Sequence, residues 1–314
     1  MGEVAADKGA TKVACIGECM IEVRQPAHGP ASLGYGGDTL NTAVYLARLG
    51  IATSYVTALG DDSWSETMIA GWRAEGIDTS LVARLPGRLP GLYIIQTDAR
   101  GERRFSYWRD TSAARHLFDL PETPHLAAAL ASFDLVYFSG ITLSIYGAHG
   151  RQTLFAALDE VRSRGGRVAF DTNFRPRGWP DPAEAHDAFR RAIAAADIVF
   201  ASSEDLELLW GASGPDDFMT GEGASERVLK LEVPACRVCA PFSADILVEA
   251  EPMPPGAIVD TTAAGDSFAA AFLASRLNGR TPAEAAAAGH HLARTVVQHS
   301  GAIIPRAAMP TIPA

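Results

Sequence analysis

The stretch Asp260-Thr261-Thr262-Ala263-Ala264-Gly265-Asp266-Ser267-Phe268 decides how the rest of the chain reads. Downstream of it Phe268, Ala271, Phe272 and Ser275 recur at helical spacing, one face of a helix. Upstream lies a short apolar run, Ile258-Val259. The stretch is therefore a turn of small residues feeding a helix N-terminus. The first turn of a helix presents N–H groups without intrahelical partners, and with them a partial positive charge. Ala-Ala-Gly leaves almost no side chain to keep a phosphate from those donors, so the amides of Ala263, Ala264, Gly265 and Asp266 form a candidate anion hole. A carboxylate beside such a hole suits a proton acceptor, and the helix end is expected to keep Asp266 ionised. The plainer reading is that Asp266 only caps the helix.

A second stretch adds weight to the first. Gly36-Gly37-Asp38-Thr39-Leu40-Asn41 is again glycines followed by a helix, with Leu40, Ala43, Val44 and Ala47 as its buried stripe and Gly50 as its end. Paired glycines let a ligand touch the backbone, and Asn41 puts a polar group near that surface.

Together the two stretches resemble the two signatures of the ribokinase-like (PfkB) family of carbohydrate kinases, and the resemblance runs from about Lys12 to Pro305. Gly17-Glu18-Cys19-Met20-Ile21-Glu22, Tyr107-Trp108-Arg109 and Gly301-Ala302-Ile303-Ile304-Pro305 bring the wording nearer to the branch that phosphorylates 2-keto-3-deoxygluconate. The resemblance implies an α/β fold, a ribokinase-like three-layer α/β/α sandwich with a mainly parallel central sheet, as one kinase domain over 12–305. It also implies a small β-strand lid drawn from about 18–36 and 91–109. The implied activity is ATP-dependent phosphorylation of the substrate's 6-hydroxyl, with Asp266 as base and Mg²⁺ arriving on the nucleotide phosphates rather than in a protein cage. The implied sugar-acid contacts are Gly36, Gly37, Asp38, Asn41, Tyr93, Tyr107, Arg109 and Arg175, and the implied nucleotide contacts Asn173, Ser202, Asp205, Thr262 and Gly265. The glycines are expected to leave room that a Cβ would take from the sugar. A homodimer joined through the lid is implied as well.

At 314 residues the chain can bury a large core, and 47% apolar with 20% charged residues is ordinary for a globular enzyme. A net charge of −10 argues against nucleic-acid or membrane-surface partners, so an anionic substrate needs a local basic pocket. No apolar run approaches the ~18 residues of a membrane span and the start lacks a signal-peptide pattern, which predicts a cytoplasmic protein. Residues 1–11 are small and polar, a frayed tail. Cys236-Arg237-Val238-Cys239 has a metal-like spacing but sits in an apolar, strand-like run; with Cys15 and Cys19 these are expected to be reduced core thiols.

Strands are predicted at Val13–Ile16, Thr53–Leu59, Leu135–Phe138, Val168–Phe170 and Ile198–Ala201. Glu18 follows the first, at the carboxyl end where ligands of open α/β sheets gather. Helices are predicted from Asp38, from Ser63 to Ala74, and over Arg151–Arg164, Ala183–Ala195, Asp205–Trp210 and Ala283–Val297. The last is capped by Thr281, and its small residues would suit a flat base such as adenine. Gly91–Asp98 and Arg103–Arg109 read as a hairpin, and an Arg109 beside aromatics suits a carboxylate. The chain departs from the family pattern at Ala263, a glycine in most members, and at Ser202-Ser203-Glu204-Asp205, where the family has Asn-x-x-Glu. It departs again over Leu231–Glu249, where a Lys- and Gly-rich nucleotide loop is expected. Two other readings stand beside the first: a PfkB kinase for another sugar or sugar acid, and a sugar-acid binder without turnover.

Overall fold

The computed structural model describes residues 10–98, 103–221, 225–241 and 244–312. The expected tail lies almost wholly outside them, as do residues 99–102 of the hairpin turn. The core is a nine-stranded sheet. Its order from one edge is Ile246–Glu249, Ala235–Cys239, Glu226–Lys230, Ile198–Ser202, Arg167–Asp171, Leu135–Ser139, Lys12–Ile16, Ala52–Leu59 and Val82–Arg84. Every neighbouring pair is parallel except the two at the edge that begins with Ile246–Glu249.

Helices cover both faces, which explains why the central strands read as continuous apolar runs rather than alternating ones. In Lys12–Ile16 the side chains of Val13 and Cys15 enter one cluster, with helices Asp38–Arg48, Ser63–Ala74, Ala264–Leu277 and Pro282–Val296. Ala14 and Ile16 enter the other, with helices Ala148–Ser163 and Pro182–Ala195. All four side chains are fully buried. This is the three-layer arrangement the resemblance implied.

A second sheet of four strands runs in the order Ser32–Gly36, Met20–Gln25, Leu92–Thr97, Arg103–Trp108. Its outer pairs are antiparallel and its central pair parallel, and Tyr93 lies opposite Tyr107. The hairpin is thus present, but two strands from the chain's beginning join it.

Some local readings change. Helix Ala148–Ser163 begins before Arg151 because Gly147 breaks the chain there in extended geometry. Helix Ala264–Leu277 is buried continuously from Ser267 to Ser275, not along one stripe, because the sheet and two helices enclose it. Thr281 does cap helix Pro282–Val296, in a capping box with Glu284. Its buried small residues serve helix packing rather than a ligand: a Cβ on Gly289 would lie 2.7 Å from the Phe268 ring. All four cysteines are reduced thiols outside any disulfide, and Cys239 is only half-buried. Ile258 and Val259 form no strand and are 58% and 62% exposed.

Candidate active site

The carboxyl ends of the central strands, the starts of two helices and the small sheet enclose a cavity of about 1320 Å³. Every residue singled out for catalysis, the anion hole, sugar or nucleotide lines it, and so does Glu18. Among the described residues lining it, none comes from helix Pro282–Val296.

The phosphate end is built on helix Ala264–Leu277. Ala263, its N-cap, has φ 61° and ψ 16°, the left-handed conformation that glycine adopts without cost. The loop before it is shaped by Asp260, whose Oδ1 accepts the N–H of Thr262 at 3.0 Å and the Thr262 hydroxyl at 2.6 Å. Thr262 is thereby turned toward the loop instead of outward. The Ala264 N–H closes back on the Thr261 carbonyl at 3.2 Å.

Asp266 sits in the helix's first turn, and its Oδ2 accepts a hydrogen bond from the Asn41 amide at 2.8 Å. Asn41 therefore holds the acid as well as facing the cavity. The expectation that the helix end keeps Asp266 ionised fails in this structure: its pKa is pushed up to about 8. Burial is the main cause and the charge of Asp38 the second, with Asp171 adding to it; Asn41 and Lys230 oppose the shift. A half-charge at a helix end is too small to offset desolvation and two neighbouring carboxylates.

Lys230 is the residue sequence reasoning passed over; Asp171 heads the polar run 171–177 that suggests a site at a strand's carboxyl end, but the sequence gives it no role of its own. Each ends a strand of the large sheet, with only Ile198–Ser202 between, and the Lys230 ammonium lies 3.0 Å from Asp171 Oδ2. Asp171, Asp205 and Asp266 together hold that ammonium charged against the opposing effect of burial. It also stands over the helix start, 3.4 Å from where a Cβ on Gly265 would be. The signal was present in the sequence as Val228-Leu229-Lys230, an apolar run ending in a cation at a strand's carboxyl end.

The remaining polar residues are committed to one another. Asn173, at φ 29°, donates to Asp38 Oδ2 at 2.8 Å. Ser202 caps helix Ser203–Trp210 by accepting the Asp205 N–H at 3.1 Å, and Asp205 Oδ2 accepts the Thr172 hydroxyl at 2.6 Å.

At the small-sheet end, Arg109 donates to Glu18 Oε2 and the Tyr93 hydroxyl donates to Glu22 Oε2. The Tyr93 and Tyr107 rings lie 6.0 Å apart. Arg109 is thus already paired, while Glu18 Oε1, Arg109 Nε and the Asn41 carbonyl oxygen are buried without a protein partner. Arg175 donates to its neighbour Phe174's carbonyl, lies 3.8 Å from Asp205 and has a side chain 60% exposed. The glycines are also required by the chain's own packing: a Cβ on Gly37 would lie 2.1 Å from the Glu18 carbonyl oxygen, and one on Gly36 2.5 Å from the Tyr93 hydroxyl.

A pocket joining a helix-start anion hole, an enclosed acid and a cation is the arrangement phosphoryl transfer to an alcohol needs. The chain belongs to the pfkB family of carbohydrate kinases, whose pattern matches residues 10–309, so it is a kinase with an alcohol acceptor. It is 45% identical over 305 residues to a 2-dehydro-3-deoxygluconokinase of Dickeya dadantii (strain 3937), covering 95% of this chain and 98% of that one. It is 43% identical over 306 residues to the 2-dehydro-3-deoxygluconokinase of Escherichia coli (strain K12), covering 95% and 99%. Among solved structures it superposes on a PfkB protein from Polaromonas sp. JS666 with a TM-score of 0.80 at 26% identity, covering 92% of this chain and 96% of that one.

Proposed function

We propose that the chain transfers the γ-phosphoryl of ATP to the 6-hydroxyl of 2-keto-3-deoxygluconate (2-dehydro-3-deoxygluconate), with Asp266 as the base. The observation that carries this reading is the enclosed acid Asp266 in the first turn of helix Ala264–Leu277, held by Asn41 and in one cavity with Tyr93, Tyr107 and Arg109; burial and the charge of Asp38 raise its pKa. A base works best with a pKa near the operating pH. Two relatives above 40% identity that carry the 2-dehydro-3-deoxygluconokinase name support the substrate.

In the proposed step Asp266 takes the hydroxyl proton and the freed oxygen bonds to the γ-phosphorus. The bond to the bridging oxygen breaks, and ADP leaves with that electron pair. The amides of Ala263, Gly265 and Asp266 receive the charge on the moving phosphoryl, with Ala264 joining once its turn opens; Lys230 adds the nearest cation. Mg²⁺ bound on the nucleotide phosphates neutralises part of that charge. Among the described residues no group of three or more His, Cys, Asp or Glu side chains is placed to hold a metal. Asn173, Ser202 and Asp205 line the phosphate end.

The sugar acid lies against the small sheet, between Gly36, Gly37, Asp38 and Asn41 on one side and Tyr93, Tyr107, Arg109 and Arg175 on the other. The buried unpartnered atoms of Glu18, Arg109 and Asn41 make this end suited to a polyhydroxylated acid. The exposed Leu33, Phe105 and Trp108 of the same sheet fit a second copy of this chain, and light scattering in solution tests that dimer. Among the described residues no helix is long and apolar enough to cross a membrane.

A coupled assay of ADP release with ATP, Mg²⁺ and a panel of 2-keto-3-deoxygluconate, ribose, fructose and gluconate tests the function. The expected result is a kcat/KM for the keto-deoxy acid far above the others. Preference for a neutral sugar overturns the substrate, and calorimetric binding of the acid with no turnover overturns catalysis.

A further inference from the structure

Resting on the kinase reading above, we propose that Arg24 is a positioning residue that clamps the anion-hole loop to the small sheet. Arg24 lies on strand Met20–Gln25, far in sequence from that loop. Its Nη1 donates to Asp260 Oδ2 at 3.2 Å, while Nε and Nη2 donate to Glu22, the latter at 3.3 Å. One guanidinium thus bridges two carboxylates with side chains only 8% and 10% exposed.

What hangs on each carboxylate gives the bridge its meaning. Glu22 accepts the hydroxyl of Tyr93, on the sugar side. Asp260 accepts the N–H and hydroxyl of Thr262 through Oδ1 and the Gly301 N–H through Oδ2 at 2.9 Å. Thr262 leads into Ala263, whose left-handed conformation turns the chain into helix Ala264–Leu277. A continuous series of polar contacts therefore runs from the sugar-facing Tyr93 to the loop that aims the anion-hole amides. Without the guanidinium, Glu22 and Asp260 would face each other across the seam as two enclosed negative charges, and like charges in a shielded setting repel. The clamp is not needed to hold the core: the neighbouring 302–304 segment is fixed by Tyr45, which donates to the Ala302 carbonyl and accepts the Ile304 N–H, and by Arg48, which donates to the Ile304 carbonyl at 2.6 Å. Arg24 itself stands at the rim with its side chain 22% exposed.

The test compares wild type, Arg24→Ala and Arg24→Lys. With the sugar acid and ATP, Arg24→Ala is expected to lower kcat by about 10- to 100-fold, the scale of a misaimed reacting group. The Lys variant should lie between, since it keeps a charge but loses the fork. Added millimolar guanidinium should restore part of the Ala variant's kcat and leave wild type unchanged, a rescue that a general loss of stability would not show. Hydrogen exchange of amides 260–266, read independently of activity, should quicken in Arg24→Ala. A kcat within about twofold of wild type overturns the positioning role. Wild type that turns over none of the panel marks failure of the kinase reading instead; unchanged exchange in the Ala variant then overturns the clamp by itself.

Discussion

The two ends of the cavity treat charge in opposite ways. At the small-sheet end each charge has an answer within the protein: Glu18 with Arg109, Glu22 with Tyr93 and Arg24. At the phosphate end Asp171 and Asp266 crowd each other and Asp38, which borders the sugar side, and Lys230 meets only part of their charge. On the proposed reading the first end binds and the second reacts. Desolvated like charges raise an acid's proton affinity, which a base requires and stability resents. Substitutions at the phosphate end should therefore change kcat, and those at the sheet end KM, with Arg24 the exception because its guanidinium also reaches Asp260 in the loop before helix Ala264–Leu277.

The largest effect is expected at Asp266. Asp266→Asn should lower kcat by about 10² to 10⁴ with little change in KM for the acid, read in the coupled assay. The same substitution should stabilise the fold. The folded pKa of about 8 lies above the ordinary 3.8, so ionising Asp266 costs stability progressively as pH rises between those values. Melting temperatures of wild type and variant should agree near pH 4 and separate as pH climbs toward 8, the variant being higher; equal temperatures throughout would remove the crowded acid from the account.

Lys230→Met comes next. It should cost about 10² to 10³ in kcat and also about 3 to 5 kcal/mol of stability, because Asp171 is left buried without its cation. Denaturant titration beside kinetics checks both, and a variant as stable as wild type would mean the pair is solvated. Smaller again, Glu18→Gln should raise KM for the acid about 5- to 30-fold with kcat nearly unchanged, as Arg109 loses the carboxylate that aims it. A fall in kcat alone would erase the contrast between the ends. The smallest effect belongs to Ala263→Gly. Relief of the left-handed strain, about 1 kcal/mol, is offset by glycine's freer unfolded chain, so stability should move by no more than about 0.5 kcal/mol.

The fold was largely legible because its strands are buried on both faces and so stand out as apolar runs between helical patterns. Val13–Ile16 and Ile198–Ala201 both fall within observed strands. The small sheet was less so: Met20–Gln25 and Ser32–Gly36 are short and half-polar, and only the family resemblance pointed to them. The cavity lining was readable where small residues precede a helix, as at Gly36-Gly37 and Ala263-Ala264-Gly265. Its electrostatics were not. The pKa of Asp266 depends on Asp38 and Asp171, which lie 228 and 95 positions away in the chain and meet it only through the fold. Lys230 was equally hidden, since a cation closing an apolar run acquires a role only when the sheet brings it beside Asp171. The packing need for the glycines was hidden too, because backbone crowding at Glu18 cannot be read from spacing.

The most direct test of the central claim is the pH dependence of kcat/KM for the keto-deoxy acid in wild type, measured from pH 5.5 to 9.5 with saturating nucleotide. An acid that must ionise, with a pKa of about 8, predicts a rise of about tenfold per pH unit at the low end and a plateau above pH 8. A profile flat from pH 6 upward would contradict Asp266 as the crowded proton acceptor on which the reading depends.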